Sequence, residues 1–366
     1  MKYYIIAGEA SGDLHGSNLI KALLVNDPQA EIRCWGGDKM QASGATLVKH
    51  YKDLAFMGFI EVVKNLPTIL KNLSACKKDI EVFSPDLLIL IDYPGFNMRI
   101  AKWAHLKNIK VAYYISPQIW AWKENRVHAI KRDVDRMMVI LPFEKDFYKK
   151  YNMEVDYVGH PLAEVINQWK AANPNIKKEN IVALLPGSRK QEILVKLPIM
   201  LSVAAHFPDY KFVVAKAPGQ TDAFYEALLK PYSNVDAVAN KTYELLATAK
   251  AALVTSGTAT LETALFGVPE VICYKGSYIS YQIAKRLIKI KFIGLVNLIM
   301  NKEVVKELIQ QDLNEQNLVT ELQTLLHNDE RKQQLQHDYA SLSQLLNAGG
   351  HASSNAAAIM YNMVKN

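Results

Sequence analysis

Two short strings in the second half of the chain combine glycine turns with groups that suit a phosphorylated ligand: LLPGSRK at 184–190 and VTSGTATLETALFGVP at 254–269. Each ends an apolar, strand-like run with a glycine and then opens a helix. A helix start carries unpaired amides and a partial positive charge, both suited to phosphate. In the first string Gly187 and Ser188 form the turn, and Arg189 adds a permanent fork of donors. In the second, Ser256, Gly257 and Thr258, followed by Ala259 and Thr260, present hydroxyls and amides to a diphosphate. Glu262 stands four residues beyond Thr258 on the same helix face, where a carboxylate can accept from both hydroxyls of a ribose. A turn with a surface arginine, or a solvated helix glutamate, would each be ordinary alone. Two phosphate-type turns with a carboxylate one helical turn inside the second are far more specific, and they point to a nucleoside diphosphate.

The first half opens with the same order of strand, glycine turn and helix in GEASGDLHGSNLIKALL at 8–24, but without the GxGxxG or GxxxxGK[ST] fingerprint. Glu9 and Asp13 would repel a pyrophosphate, so Gly8, Glu9, Ser11, Gly12 and Asp13 are better suited to sugar hydroxyls or to acid/base work. The competing reading makes Ser11 a helix N-cap with Asp13 in the first turn. Asp92 closes the apolar run LLILID and precedes YPGFN, so its carboxylate is expected at the carboxyl edge of a sheet. A base there could take the proton of an acceptor hydroxyl attacking an anomeric carbon, a role worth roughly 10² to 10⁴ in rate. Its plainer alternative is a cap on the turn before Pro94.

Asp133 and Asp135 form a DxD pair of the kind that can hold magnesium, yet Lys131, Arg132 and Arg136 crowd it, and no metal or other cofactor is expected. The leaving diphosphate is instead assigned to Arg189 and the helix amides. Among the histidines, only His15 and His160 are kept as site candidates. Cys34, Cys76 and Cys273 lie far apart and read as reduced, packed thiols. The net charge of +7 favours an anionic partner. No nucleic-acid-binding signature accompanies the scattered basic residues, so a phosphorylated lipid or an anionic membrane surface is preferred over nucleic acid.

The elements that must position these groups follow from hydropathy. Apolar runs at 3–8, 86–92, 110–116 and 137–143 alternate with helical patterns, and the plan restarts at 180–188, 211–217, 251–257 and 269–275. That alternation predicts two doubly wound α/β domains, with ligands at the carboxyl ends of both sheets along a shared cleft. The expected boundaries are 1–168 for the first domain and 169–340 for the second, with 341–366 ending in a helix that packs back on the first. Beyond about residue 300 the chain reads as helical and polar. The stretches 56–73 and 281–300 are amphipathic and basic together; core helices give such stripes more often than membrane anchors do, but their joint presence suggests contact with membrane or acyl chains. SPQIWAW at 116–122 could wall the cleft or pack a helix end, and packing is the preferred expectation. With no secretory signal and no run long enough to cross a bilayer, the chain is expected in the cytoplasm.

Taken together, GEASGDLHG, FMGFIEVV, IDYPGFN, YYISPQIWAWKENRV, LPFEKDFY, VGHP, LLPGSR, SGTATLET and NKEVVKELIQ resemble the lipid-A-disaccharide synthase family in order and spacing, from about residue 3 to 345. The resemblance implies a GT-B fold and an inverting glycosyltransferase, peripheral on the inner membrane. Its substrates would be UDP-2,3-diacylglucosamine and the 6-hydroxyl of 2,3-diacylglucosamine 1-phosphate, giving a β-1,6 disaccharide and UDP. It places Asp92 on the general base, Arg189, Ser256, Gly257, Thr258 and Glu262 on UDP-binding positions, and Asn297 on the asparagine of a Pro-Asn pair near the donor. Val296 departs from that proline, and Tyr93 and Gly95 depart from the smaller and acidic residues common around the D-x-P turn. A homodimer is left open. A UDP-sugar epimerase and a non-catalytic nucleotide-sugar-binding regulator remain as alternatives. Incubation with UDP-sugar alone separates the first; replacing Asp92 separates the second.

Overall fold

A computed structural model describes residues 1–54, 66–277, 281, 282, 286 and 290–365. The amphipathic stretch from Phe56 to Val63, and most of 281–289, lie outside the described residues. The chain divides into two units, Met1–Pro161 with Leu346–Asn366, and Leu162–Leu345.

In the first unit a seven-stranded sheet runs in the order β3-β2-β1-β4-β5-β6-β7, with every pairing parallel. The strands are β1 (Lys2–Ala7), β2 (Glu31–Gly36), β3 (Thr46–His50), β4 (Leu87–Ile91), β5 (Val111–Tyr114), β6 (Arg136–Val139) and β7 (Asp156–Tyr157). Strands β1 and β4 are continuous apolar runs because helices cover both of their faces. Tyr3, Ile5 and Ala7 join a core that includes Leu19, Ile20 and Leu23 of the helix Ala10–Asn26 and Ala356, Ala357 and Met360 of the C-terminal helix Ala352–Val364. From the alternate position, the Tyr4 hydroxyl donates to Asp79 at 2.6 Å on the helix Leu66–Phe83. A fully buried Ile or Leu contributes about 1.5–3 kcal/mol, so these two strands anchor the unit.

The second unit carries a six-stranded parallel sheet in the order β10-β9-β8-β11-β12-β13. Its strands are β8 (Ile181–Leu185), β9 (Lys211–Lys216), β10 (Val235–Ala239), β11 (Ala251–Thr255), β12 (Glu270–Tyr274) and β13 (Lys306–Ile309). Strand β13 corrects the reading of everything beyond residue 300 as helical; as a short edge strand of two charged and two apolar residues, KELI carries no long apolar run to announce it. The units part at 161/162 and 345/346, where the sequence suggested 168/169 and 340/341. The helix Pro161–Ala172 goes with the second unit because Trp169 packs against Tyr243 and Phe266, and Lys170 donates to the Leu265 carbonyl at 2.6 Å. Among the described residues, no helix is long and apolar enough to cross a membrane.

In both sheets the order reverses direction beside the first strand, at β1/β4 and at β8/β11. Loops that follow the two strands at such a switch point diverge and leave room for a ligand. All four glycine or aspartate turns singled out from sequence follow these four strands.

Candidate active site

In the first unit, β1 and β4 pair with Ala7 opposite Ile91, which sets Gly8 and Glu9 beside Asp92 and Tyr93. Asp92 and Tyr93 both adopt left-handed backbone conformations, with φ of 43° and 49°. Such geometry costs a non-glycine residue about 1–3 kcal/mol and persists only where the surroundings enforce it. The enforcers are at hand. The Asn97 amide donates to the carbonyls of Asp92 (2.8 Å), Ile91 (3.2 Å) and Ile6 (3.4 Å), and the Tyr113 hydroxyl donates to the Asp92 carbonyl at 2.6 Å. Pro94 then starts the helix Pro94–Leu106. The Asp92 backbone is thus fixed by its own carbonyl, leaving the carboxylate to other work. Burial, and then the nearby Glu9 charge, push the Asp92 carboxyl up to about 6.

Gly8 is required by crowding: a Cβ there would come within 2.3 Å of the Tyr93 ring. Tyr93 stacks on Phe96 at 5.6 Å, so the bulky residue beside the aspartate is accommodated by the glycine opposite.

Asp13 has a different occupation from the acid/base task entertained for it. It is buried, and its carboxylate accepts from the amides of Gly37 (2.8 Å), Met40 (3.0 Å) and Lys39 (3.2 Å), capping the short helix Asp38–Ala42. Gly12 is packed at 3.1 Å from Ala7. The helix after the turn begins at Ala10 with Glu9 as N-cap, which corrects Ser11 as the capping residue; Ser11 lies exposed in the first turn. Glu9 is half-buried. Burial pushes the His15 imidazole down to about 4 and His160 to about 3, so both are neutral near pH 7. Asp133 is gripped by Arg132 at 2.6 and 2.7 Å, and Asp135 accepts the Val111 amide at 2.7 Å. Trp120 packs as expected, its ring edge-on to Phe143 and its Nε1 donating to buried Glu144 at 3.3 Å.

In the second unit, a pocket of about 490 Å³ gathers most of the residues assigned to phosphate and ribose: Gly187, Ser188, Arg189, Ser256, Gly257, Thr258, Ala259 and Glu262. Gly187 at φ 115° and Gly257 at φ 146° need glycine's freedom, and each turn runs into a helix, Lys190–Ser202 and Thr258–Leu265. Arg189 is the N-cap residue of the first helix, exposed and 3.3 Å from Glu192. The Ser256 hydroxyl donates to the Ile293 carbonyl at 2.9 Å. Glu262 is half-buried; burial pushes its carboxyl up to about 7, with the Tyr243 hydroxyl at 3.5 Å in partial compensation.

Two residues assigned to the donor are not among those lining this pocket. Thr260 is fully buried and its hydroxyl donates to the Gly257 carbonyl at 2.8 Å, holding the turn rather than a ligand. Asn297 is also fully buried, and both ends of its amide are engaged. It donates to Val305 (2.8 Å) and Glu307 (2.9 Å), and it accepts from the amides of Val304 (2.8 Å) and Val305 (2.9 Å). Sequence reasoning missed Glu192, Lys216, Thr242 and Thr255, which also line the pocket. Thr255 and Lys216 close β11 and β9, so their position at a strand's carboxyl end was the available signal.

Two parallel α/β units, with glycine turns at the switch points of their sheets, have the GT-B fold. Solved structures share the fold across nearly the whole chain. The UDP-GlcNAc 2-epimerase from Neisseria meningitidis, bound to UDP-GlcNAc, superposes with a TM-score of 0.67 at 14% identity over all of both chains. The glycosyltransferase of kitacinnamycin gives 0.68 at 14% identity over 99% of each. Sequence is more specific. The family model for lipid-A-disaccharide synthetase matches residues 3–361, and the chain belongs to that family, as a UDP-sugar-dependent glycosyltransferase of lipid A biosynthesis. The lipid-A-disaccharide synthase of Syntrophus aciditrophicus is 38% identical over 99% of this chain and 97% of its own length, and that of Coxiella burnetii is 37% identical over 98% of each.

Proposed function

We propose that the enzyme joins 2,3-diacylglucosamine, delivered as its UDP derivative, to the 6-hydroxyl of 2,3-diacylglucosamine 1-phosphate with inversion at the anomeric carbon. The first unit serves the acceptor and the second the donor. The acceptor oxygen bonds to C1 as its proton passes to Asp92. The C1–O bond to the β-phosphate breaks, its electron pair leaves with UDP, and the product is the β-1,6 disaccharide. Arg189 and the amides that open the two helices stabilise the charge growing on the diphosphate, which is the part a metal would otherwise play. Glu262 accepts from the ribose hydroxyls.

The observation that carries this reading is the pocket in which both glycine turns, Arg189 and Glu262 converge. Asp92 is favoured as the base because its carboxyl, near 6, is matched to proton transfer close to neutral pH. Asp13 is disfavoured because its carboxylate is already engaged with three amides. Contact with an anionic inner-membrane surface fits the charge of +7 and the lysines Lys71, Lys77 and Lys78 on the helix Leu66–Phe83.

The test is turnover with the diacylated donor and acceptor, in the presence and absence of a chelator. Disaccharide and UDP should form in equal amounts at an unchanged rate with chelator. Asp92→Asn should lower turnover by about 10² or more while Glu9→Gln and Asp13→Asn retain more of it. UDP-sugar converted without acceptor would sink the transferase reading in favour of an epimerase.

A further inference from the structure

Lys196 is a buried cation directly behind the phosphate turns of the second unit. Its side chain is 5% exposed, its Nζ donates to the Thr255 hydroxyl, and it lies 3.8 Å from Glu192 Oε2. Glu192 in turn reaches Arg189 at 3.3 Å through its other oxygen. The carboxylate also abuts the first turn, since a Cβ on Gly187 would meet Glu192 Oε2 at 2.7 Å. Arg189, Glu192, Lys196 and Thr255 therefore form one continuous polar line, three of them on the single stretch 189–196, where i,i+3 and i,i+4 spacing brings side chains together.

Two features need a common explanation. A carboxylate lining a pocket for a diphosphate should repel it, and it competes for Arg189. A lysine ammonium taken out of water is costly unless it is paired. Each group answers for the other: Lys196 offsets Glu192 from the buried side, and Glu192 and Thr255 keep the ammonium satisfied. Burial does hold the Lys196 amine below the usual lysine range, with Glu192 and the neighbouring Cys273 acting the other way.

We propose that Lys196 is a positioning residue for the donor diphosphate: by neutralising Glu192 from behind it releases Arg189 for the phosphates, and by holding Thr255 it fixes the strand end from which the second turn departs. The inference rests on the donor-site reading above and extends it to a side chain that does not touch the ligand.

The experiment is UDP titration by calorimetry on the wild type, Lys196→Met, Lys196→Gln and the double variant Lys196→Met with Glu192→Gln, each checked for folding by thermal melt. Lys196→Gln keeps a donor toward Thr255 and removes only the charge, so it covers the case in which the methionine variant does not fold. Loss of the charge should weaken UDP at least tenfold in either single variant. Removing the uncompensated carboxylate in the double variant should bring affinity back to within about threefold of the wild type, a rescue that a purely structural role for Lys196 would not produce. Single variants that bind UDP within threefold of the wild type, or a double variant as weak as the single, overturn the proposal. A wild type that does not bind UDP overturns the donor-site reading along with it.

Discussion

The Asn97 amide lies 2.8 Å from the Asp92 carbonyl and helps to hold that residue in a left-handed conformation, φ 43°, that is uncommon outside glycine. The same nitrogen reaches Ile91 and Ile6, so a single side chain ties the end of β4 to β1. Replacing it should release the strain and let the carboxylate move. Asn97→Ala is expected to cost about 1–3 kcal/mol of stability from buried carbonyls left unpaired. It should lower kcat by tenfold or more with little change in KM for the donor. Denaturant titration and steady-state kinetics on one preparation check both; an unchanged kcat would separate the Asp92 backbone geometry from the chemistry.

Asp92 should limit stability as much as it serves the reaction. Its carboxyl is raised to about 6 against an ordinary value of 3.8, so the folded state disfavours the charged form. Stability from this group is intact below about pH 4, is lost progressively as pH rises to about 6, and is level above. Asp92→Asn is therefore expected to be more stable than the wild type at pH 7–8, by about 1–3 kcal/mol, with the difference vanishing near pH 4. Turnover runs the other way: kcat in the wild type should climb with pH through about 6, and the variant should lose 10² or more. Melting curves across pH and a pH–rate profile decide it. A variant less stable than the wild type at pH 8 would contradict the burial argument.

Much of this arrangement was legible in the residues. Five consecutive apolar positions ended by Asp92 and Pro94 fit a buried parallel strand delivering a carboxylate to its edge, and the glycines at 187 and 257 stand where positive φ is needed. What escaped was the use to which polar side chains are put by partners distant in sequence. Asp13 accepts amides 24 to 27 residues away, and Asn297 meets Glu307, ten residues on. Spacing within a helix carries no trace of either. Nothing in the sequence marks Lys196, whose burial brings its ammonium to Thr255 at the end of β11, 59 residues further on. Edge strands such as β10 and β13 lack the continuous apolar run that marks the central ones.

Asn297 provides a test of that distinction. With both amide ends engaged inside the unit, Asn297→Ala should leave several buried partners unsatisfied, costing about 3 kcal/mol. Because the side chain is not among those lining the pocket, UDP affinity measured at low temperature should stay within threefold of the wild type. A large loss of affinity in a folded variant would show that the residue reaches the donor after all.

Glu262 can be questioned through the ligand itself, since 2′-deoxy-UDP lacks one of the hydroxyls the carboxylate is assigned to receive. Hydrogen bonds to a charged acceptor are worth about 1.5–3 kcal/mol, so the wild type should prefer UDP over the deoxy form by about tenfold or more. In Glu262→Ala that preference should shrink to about twofold. Burial raises the Glu262 carboxyl to about 7, so the wild-type preference should also grow between pH 6 and 8 as the group ionises, and Glu262→Gln should flatten that trend. The ratio of the two affinities cancels the titration of the phosphates, which both ligands share. If Glu262→Ala discriminates against the deoxy nucleotide as strongly as the wild type, the ribose is held by some other residue.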